Sequence, residues 1–323
     1  MKTLQFREAI AEAMSEEMRK DPSIYLMGEE VAEYNGAYKA SKGMLDEFGP
    51  ERVIDTPISE LGFAGIGIGS AMNGNKPIIE FMTFNFALVG IDQIINNAAK
   101  IRQMSGGQFN CPIVFRGPTG SAGQLGATHS QAFENWFANT PGLKVVYPAF
   151  PYDAKGLLIT AIEDPNPVLF FEHKALYRSI SQSVPNGYYN LPIGKAALVK
   201  EGTEATIITY GAGVHWALET LEKHPKLSLD LIDLRTLMPL DWETIYGSVK
   251  KTSRLIILQE DSLFGGISSD IAASVQEELF EYLDAPIKRV ASLDTPIPFA
   301  KSLENEYLPR KRFEKALLEL INF

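Results

Sequence analysis

Short apolar runs alternate with helix-length segments over most of the chain. Before residue 174 these runs, rich in β-branched and aromatic residues, read IYLMG, RVIDT, PIIEFM, CPIVFRG, LKVVYPA and PVLFFEH. Strands that are apolar on both faces and separated by helices are typical of a parallel sheet covered by helices. The pattern therefore predicts an α/β fold for the first part of the chain.

The alternation breaks near residues 174 to 194, a stretch with no sustained period that contains two prolines and two glycines after residue 184. It then resumes with the runs ATIITYG, LSLDLIDLR, SRLIILQE and IKRVAS, and with helical patterns near 213–224, 241–252, 266–283 and 309–321. We therefore predict a first domain over residues 1–180, a linker over 181–194 and a smaller α/β domain over 195–323.

Composition and charge exclude several classes of protein. A net charge of −10 and a pI near 5.1 argue against nucleic-acid binding, which requires a basic face. No apolar run is long enough to predict a membrane-spanning helix, and the N-terminus has the pattern of an amphipathic helix rather than a signal peptide. A cytoplasmic location is expected. The single cysteine, Cys111, lies in an apolar run and is predicted to be a buried thiol.

Glu60 is the only charged residue between Asp55 and Lys76, and it begins a helix rich in small residues after a possible Ser59 cap. It could simply interact with the helix dipole. The glycines that follow do not have the spacing of a dinucleotide-binding turn, so they favour close packing of the helix.

Two further segments could contain functional side chains. The aromatic cluster at residues 80–86 could belong to the core or contact a flat heteroaromatic ring. The glycine-rich segment 116–131 follows a strand and contains His129, where a histidine can act as acid or base. Ser121 and Ser130 lie in no nucleophile elbow, and neither a Walker A loop nor a zinc-binding motif is present.

Several long stretches together resemble the β subunits of thiamine diphosphate-dependent 2-oxo acid dehydrogenases, which are transketolase-like proteins. They read LMGEEVAEYNGAYKASKGM, RVIDTPISELGFAGIGIGSAMNGNKPIIEFMTFNF, RGPTG, THSQAFENWFANTPGLKVVYP, LRTLMPLD and QEDSLFGGISSDI. The resemblance implies a parallel-sheet domain that binds the pyrimidine half of thiamine diphosphate. It also implies that a smaller transketolase C-terminal-like α/β domain follows.

The resemblance also implies roles for individual residues. Glu60 would hydrogen-bond the ring nitrogen N1′ of the aminopyrimidine, with Ile58, Met82 and Phe86 around the ring. His129 would assist substrate handling and transfer to the lipoyl group. Glu29 would belong to a proton path between paired active sites, although a surface salt bridge is an equally good account. A potassium ion would be held mainly by backbone carbonyls of Ile113, Ala161, Ile162, Asp164 and Asn166.

A GDG motif, which grips Mg²⁺ and the diphosphate in this family, is missing from the chain. The resemblance therefore implies that an E1 α subunit supplies that half of the site and holds most of the Mg²⁺ coordination, in an α2β2 heterotetramer. The E2 dihydrolipoyl acyltransferase would be a further partner, and the acidic surface would suit a basic binding domain.

The resemblance favours pyruvate as substrate, with oxidative decarboxylation and reductive acetylation of E2 lipoyl groups. The segment EHKALYR (172–178) is closer to branched-chain forms. A branched-chain 2-oxo acid or acetoin dehydrogenase therefore remains an alternative. A scaffold subunit without catalysis is the alternative from a different class, and the presence of Glu60 and His129 weighs against it.

Overall fold

Each of the apolar runs named above contains a strand in the computed structural model, which describes residues 1–323. The strands are β1 (Lys2–Gln5), β2 (Ile24–Gly28), β3 (Val53–Asp55), β4 (Lys76–Glu80), β5 (Val114–Thr119), β6 (Lys144–Val146), β7 (Val168–His173), β8 (Ser181–Val184), β9 (Ala197–Lys200), β10 (Ala205–Thr209), β11 (Leu229–Asp233), β12 (Thr236–Met238), β13 (Leu255–Ser262) and β14 (Lys288–Ser292).

The α-helices occupy the segments between these strands. They are α1 (Phe6–Lys20), α2 (Met44–Phe48), α3 (Glu60–Met72), α4 (Phe84–Ala87), α5 (Ile101–Met104), α6 (Glu134–Ala138), α7 (Pro151–Glu163), α8 (Leu176–Ser179), α9 (Ala212–Lys223), α10 (Trp242–Thr252), α11 (Ile267–Leu279), α12 (Lys301–Tyr307) and α13 (Arg310–Ile321). A π-helix covers Gln93–Ala98, and 3-10 helices cover Ala127–His129 and Phe280–Tyr282.

The chain forms two compact units whose bounds differ from the linear division at residues 180 and 195. The first unit contains residues 1–119 and 136–193, and the second contains 120–135 and 194–323. The segment expected as a linker belongs mainly to the first unit, because β8 pairs with β1 in an antiparallel ribbon. The loop after β5 belongs to the second unit, where its backbone and side chains are hydrogen-bonded.

The first unit contains the predicted parallel sheet, with strand order β6-β7-β5-β4-β2-β3. Every residue of β5 and β7 is buried, as expected for strands covered on both faces. Because all six strands run in the same direction, their carboxyl ends share one edge of the sheet. This is the edge at which open α/β sheets bind ligands.

Three charged residues are buried within this sheet. Arg116 on β5 donates from Nε and Nη2 to the two carboxylate oxygens of Glu172 on β7, both at 2.7 Å, and from Nη1 to Glu80 on β4. The hydroxyl of Tyr177 also donates to Glu172, at 2.7 Å. The group leaves one negative charge in excess when both acids are ionised, and burial raises the pKa of Glu80.

Helix α3 packs closely against the sheet at Gly67, one of its four glycines, so the predicted close packing is observed at that position. A Cβ on Gly67 would lie 2.7 Å from Cδ1 of the buried Ile79, whereas a Cβ on Gly69 would meet nothing within 4 Å. The prediction of a capping side chain was wrong. Ser59 occupies the N-cap position, but its hydroxyl makes no capping hydrogen bond.

The second unit contains the smaller predicted sheet, with strand order β14-β13-β10-β11-β9. Strands β14, β13, β10 and β11 are parallel, and β9 joins the edge antiparallel to β11. No helix of either unit is long and apolar enough to cross a membrane.

Candidate active site

Two buried carboxylates meet at the ligand-binding edge of the first sheet. Glu29 directly follows β2 and is 3% exposed, and Glu60 begins α3 and is 5% exposed. Gly28 allows β2 to approach β4 here, since a Cβ at this position would overlap the backbone oxygen of Glu80. The fold therefore places one acid at a strand end and the other at a helix N-terminus.

The two acids interact directly. Burial raises the pKa of the Glu29 carboxyl to about 7, and the charge of Glu60 and a side-chain hydrogen bond with it add to the rise. One oxygen of Glu29, Oε1, is buried and has no hydrogen-bond partner. Near neutral pH the pair can therefore hold a proton between two carboxylates, as close like charges do elsewhere. A surface salt bridge for Glu29, the alternative left open by the sequence, is not observed.

The segment that contains Glu29 is fixed by hydrogen bonds from both sides. Asp55, at the end of β3, accepts from the backbone amides of Ala32 and Glu33 at 2.7 and 3.1 Å. The hydroxyl of Ser41 donates to the backbone oxygen of Val31 at 2.7 Å. These contacts hold the acid in place before any ligand binds.

The three pocket residues predicted alongside Glu60 differ in exposure. Ile58 is 84% exposed, while Met82 and Phe86 are half-buried. Met82 lies between β4 and α4, and Phe86 lies within α4. All three belong to segments that follow strands β3 and β4. Each therefore lies near the same edge of the sheet as the acid pair.

The other aromatics of the segment 80–86 belong to the core. Phe81 and Phe84 are fully buried, and the ring of Phe84 stacks on Phe171 with centroids 4.0 Å apart. The core interpretation therefore applies to Phe81 and Phe84, while contact with a flat ring stays a prediction for Phe86. The buried rings fix the short helix α4 to the sheet, and Phe86 keeps a half-exposed face.

His129 lies in the second unit, at the end of the 3-10 helix in the loop after β5. Its side chain is exposed, and Nδ1 lies 2.8 Å from the hydroxyl of Thr128. Gly126 precedes this helix with a φ of 75°, and a Cβ there would overlap the ring of Phe299. Glycine at this position therefore sets the path of the loop.

Four of the five residues predicted to hold potassium lie at or just after the end of α7, and Ile113 directly precedes β5. Ala161 and Ile162 lie in the last turn of α7, where carbonyl groups have no donor within the helix. The backbone oxygen of Ile113 accepts from the amide of Val168 at 3.0 Å, and the Asp164 side chain pairs with Lys144 and accepts from Asn166. No group of three or more acidic, histidine or cysteine side chains could hold a metal ion.

Comparison with known proteins assigns both domains. The family model "Transketolase, pyrimidine binding domain" matches residues 2–179, and "Transketolase, C-terminal domain" matches residues 194–312. Pyruvate dehydrogenase E1 component subunit beta-1, mitochondrial, of Oryza sativa subsp. japonica is 50% identical over 314 residues, which cover 96% of this chain and 84% of the relative. The chain belongs to the pyruvate dehydrogenase E1 β subunit family.

The likeness to E1 β subunits extends to bacteria and fungi. The E1 β subunit of Rickettsia felis is 50% identical over 94% of this chain and 93% of its own length. The mitochondrial E1 β subunit of Saccharomyces cerevisiae is 49% identical over 95% of this chain and 86% of its own length. All three relatives are named as pyruvate dehydrogenase E1 β subunits.

The two-domain fold of the E1 β family is also seen in a solved structure of a transketolase. The structure described as "Split gene transketolase, inactive beta4 tetramer" matches with a TM-score of 0.80, covering 99% of this chain and 98% of that one. Its sequence identity is 20%, so the match supports the fold alone.

Sequence patterns alone did not identify the contact between Glu29 and Glu60, nor the buried group around Arg116. A usable signal existed for the second, because Glu80, Arg116 and Glu172 each follow directly on an apolar run, in PIIEFM, CPIVFRG and PVLFFEH. Charges placed there must pair with one another once the strands align. The contact between Glu29 and Glu60 left no such signal, because it depends on where a loop and a helix start meet.

Proposed function

We propose that this chain is the β subunit of a thiamine diphosphate-dependent pyruvate dehydrogenase E1 component, active with an α subunit. The reaction is oxidative decarboxylation of pyruvate, with transfer of the acetyl group to lipoyl groups of E2. The acid pair of Glu29 and Glu60, at the ligand-binding edge of a pyrimidine-binding domain, is the observation that supports this most.

The residues present fit the aminopyrimidine ring of thiamine diphosphate. The ring needs a carboxyl group against one nitrogen and apolar surface against its faces, which Glu60 and the side chains of Ile58, Met82 and Phe86 provide. Oxygen Oε1 of Glu29 is buried and has no hydrogen-bond partner. The proposed site for the ring therefore contains a polar atom that the protein itself leaves unsatisfied. When bound, the cofactor supplies the nucleophilic carbon that adds to the keto group.

In this proposal the chain's own acids manage a proton. Glu60 holds a proton against the ring nitrogen, and Glu29, whose pKa lies at about 7, exchanges a proton with it near neutral pH. Such a pair could form one end of a proton path. His129 would act on the substrate and on the lipoyl group, since its imidazole is exposed at the end of the 3-10 helix.

The proposals for the other parts of the assembly rest on the missing GDG motif and on the net charge of the chain. Without a GDG motif, the diphosphate and most Mg²⁺ ligands would come from the α subunit of an α2β2 heterotetramer. The net charge of −10 would suit a basic binding domain of E2. Potassium at the end of α7 and a cytoplasmic location also remain proposals, and the relatives include mitochondrial proteins of plants and yeast.

Replacing Glu60 tests the proposal. In the assembled complex, Glu60→Gln should lower pyruvate-dependent dye reduction by about 10²- to 10⁴-fold, since it removes a positioned acid. Glu51→Gln, a change of an exposed glutamate in the same unit, should leave the rate unchanged. A Glu60→Gln complex with normal activity would contradict the catalytic role and favour a scaffold subunit.

A further inference from the structure

The sheet of the second unit has a crevice of its own at its carboxyl edge. Strand β11 lies on one side of β10, whereas the later strand β13 lies on the other side of β10. Such a reversal of strand order marks the place where open α/β sheets bind ligands, between the ends of the two strands. Tyr210, directly after β10, and Glu260, near the end of β13, lie at this place.

A segment of the chain itself binds at this crevice. Residues 120–135, which follow β5, belong to the second unit and are hydrogen-bonded to both sides of the crevice. The hydroxyl of Tyr210 donates to Glu134 at 2.8 Å, and the backbone amide of Ser121 donates to Glu260 at 2.5 Å. All four of these residues are buried. Both ends of the segment are therefore attached to the strands that form the crevice.

Helix α12 and the residues before it add contacts to the first half of the segment. The hydroxyl of Ser121 donates to Oε1 of Glu304 on α12 at 2.7 Å, and Glu304 is buried. The side-chain amide of Gln124 donates to the backbone oxygen of Phe299 at 3.2 Å. Gly126 lies against the ring of Phe299, since a Cβ there would be 2.4 Å from Cε1. Three contacts therefore fix the segment within six positions.

These contacts set the path of the backbone that leads to His129. The 3-10 helix that ends at His129 begins directly after Gly126, and the amide of His129 donates to the backbone oxygen of Gly126 at 3.3 Å. The side chain of His129 is exposed, so the place of the imidazole depends on this backbone. A displacement of Gly126 would therefore reach His129 within three residues.

We propose that Glu304 and Phe299 are positioning residues for His129, and that the second unit holds this histidine in place by binding residues 120–135 at its own crevice. Each of the two residues acts through the segment and not on the substrate. The inference rests on the proposed function, in which His129 assists transfer to the lipoyl group. It gives the second domain a part in that transfer.

Hydrogen exchange of the full chain tests whether the segment is held in this way. Glu304→Leu removes the acceptor of the Ser121 hydroxyl and should speed amide exchange over residues 121–129 by about tenfold. Glu304→Gln keeps an acceptor oxygen and should restore the parent rate. Asn305→Leu places the same side chain at an exposed position of the same helix and should change nothing. Unchanged exchange in Glu304→Leu would overturn the proposal and leave the proposed function intact.

A double-mutant cycle in the complex assembled with an E1 α chain tests whether this holding matters for the reaction. With a free lipoyl domain as acceptor, Glu304→Leu should lower kcat for reductive acetylation about 10- to 100-fold, because a small misplacement of a reacting group is costly. In the His129→Ala background the same substitution should have no further effect, since the imidazole through which it acts is missing.

Two results of the cycle would overturn the proposal. Losses that multiply in the double variant would mean that Glu304→Leu damages the structure in general. Full transfer by His129→Ala would remove the role of this histidine and the inference with it. Pyruvate-dependent dye reduction by the parent complex reports separately on the proposed function.

Phe299→Ala provides a second variant if circular dichroism shows that Glu304→Leu does not fold. The ring is 68% exposed, so the core of the unit does not depend on it, while its contact with Gly126 is lost. Slower lipoyl transfer is expected, and again no further effect in the His129→Ala background. Transfer by Phe299→Ala at the parent rate would contradict the positioning role.

Discussion

At the scale of single residues, the site depends on two acids that are remote in sequence. Glu60 could be proposed from sequence, because it is an isolated charge at the start of an apolar helix and lies within a recognisable motif. The protonation state of Glu29 could not be predicted, because its pKa is set by burial and by the proximity of Glu60, and both depend on the tertiary structure. The exposure of Ile58 likewise follows from the fold rather than from its hydrophobic character.

Replacing Glu29 should change how stability depends on pH. The folded state holds this proton up to about pH 7, whereas the unfolded state loses it near 4.5, so folding is penalised progressively as pH rises between these values. Glu29→Gln removes the penalty. Relative to the parent chain, the variant should gain about 1–3 kcal/mol in unfolding free energy between pH 5 and pH 8, because each unit of difference in pKa corresponds to about 1.4 kcal/mol.

Urea unfolding at the two pH values measures this gain. Glu51→Gln serves as control, since its side chain is exposed and the substitution should shift both values equally. A Glu29→Gln chain whose stability follows the parent at both pH values would show that this proton is not taken up on folding.

At the scale of elements, the long apolar runs predicted the central strands well because burial on both faces leaves a clear pattern. The short strands β1, β8 and β9 escaped prediction, since each is partly exposed and forms only by pairing with a distant segment. The glycines of α3 predicted close packing of this helix, but the sequence could not show which of them contact the sheet.

Two glycines of α3 should respond in opposite directions to alanine. Gly67→Ala places a methyl group against the buried Ile79 and should destabilise the chain by about 1–3 kcal/mol. Gly69→Ala enters open space and should stabilise it by about 0.5–1 kcal/mol through helix propensity. Thermal unfolding of both variants measures the contrast. A similar effect at the two positions would mean that α3 does not pack on β4 as described.

At the scale of the whole molecule, the sequence predicted two α/β domains in the right order. It divided them linearly, whereas the loop 120–135 belongs with the second unit. The hydrogen bonds responsible join residues more than a hundred positions apart, including Ser121 to Glu304 at 2.7 Å, and no local pattern reports them.

The missing diphosphate motif makes a prediction about assembly. The purified chain alone should show no pyruvate-dependent dye reduction with thiamine diphosphate and Mg²⁺. Mixing it with an E1 α chain should restore activity together with a mass of two copies of each by sedimentation. Turnover by the isolated chain would show that it holds the whole cofactor without help.

The single cysteine can report how often the first unit opens. Cys111 is 1% exposed, and burial raises its pKa to about 12, so a thiol reagent cannot reach a reactive thiolate in the folded chain. Any modification must follow a fluctuation that exposes the start of β5. Because the chain has no other thiol, the rate at which a thiol reagent adds to it, followed by mass spectrometry, reports the rate of this opening. The rate can be compared with and without a partner chain or a cofactor.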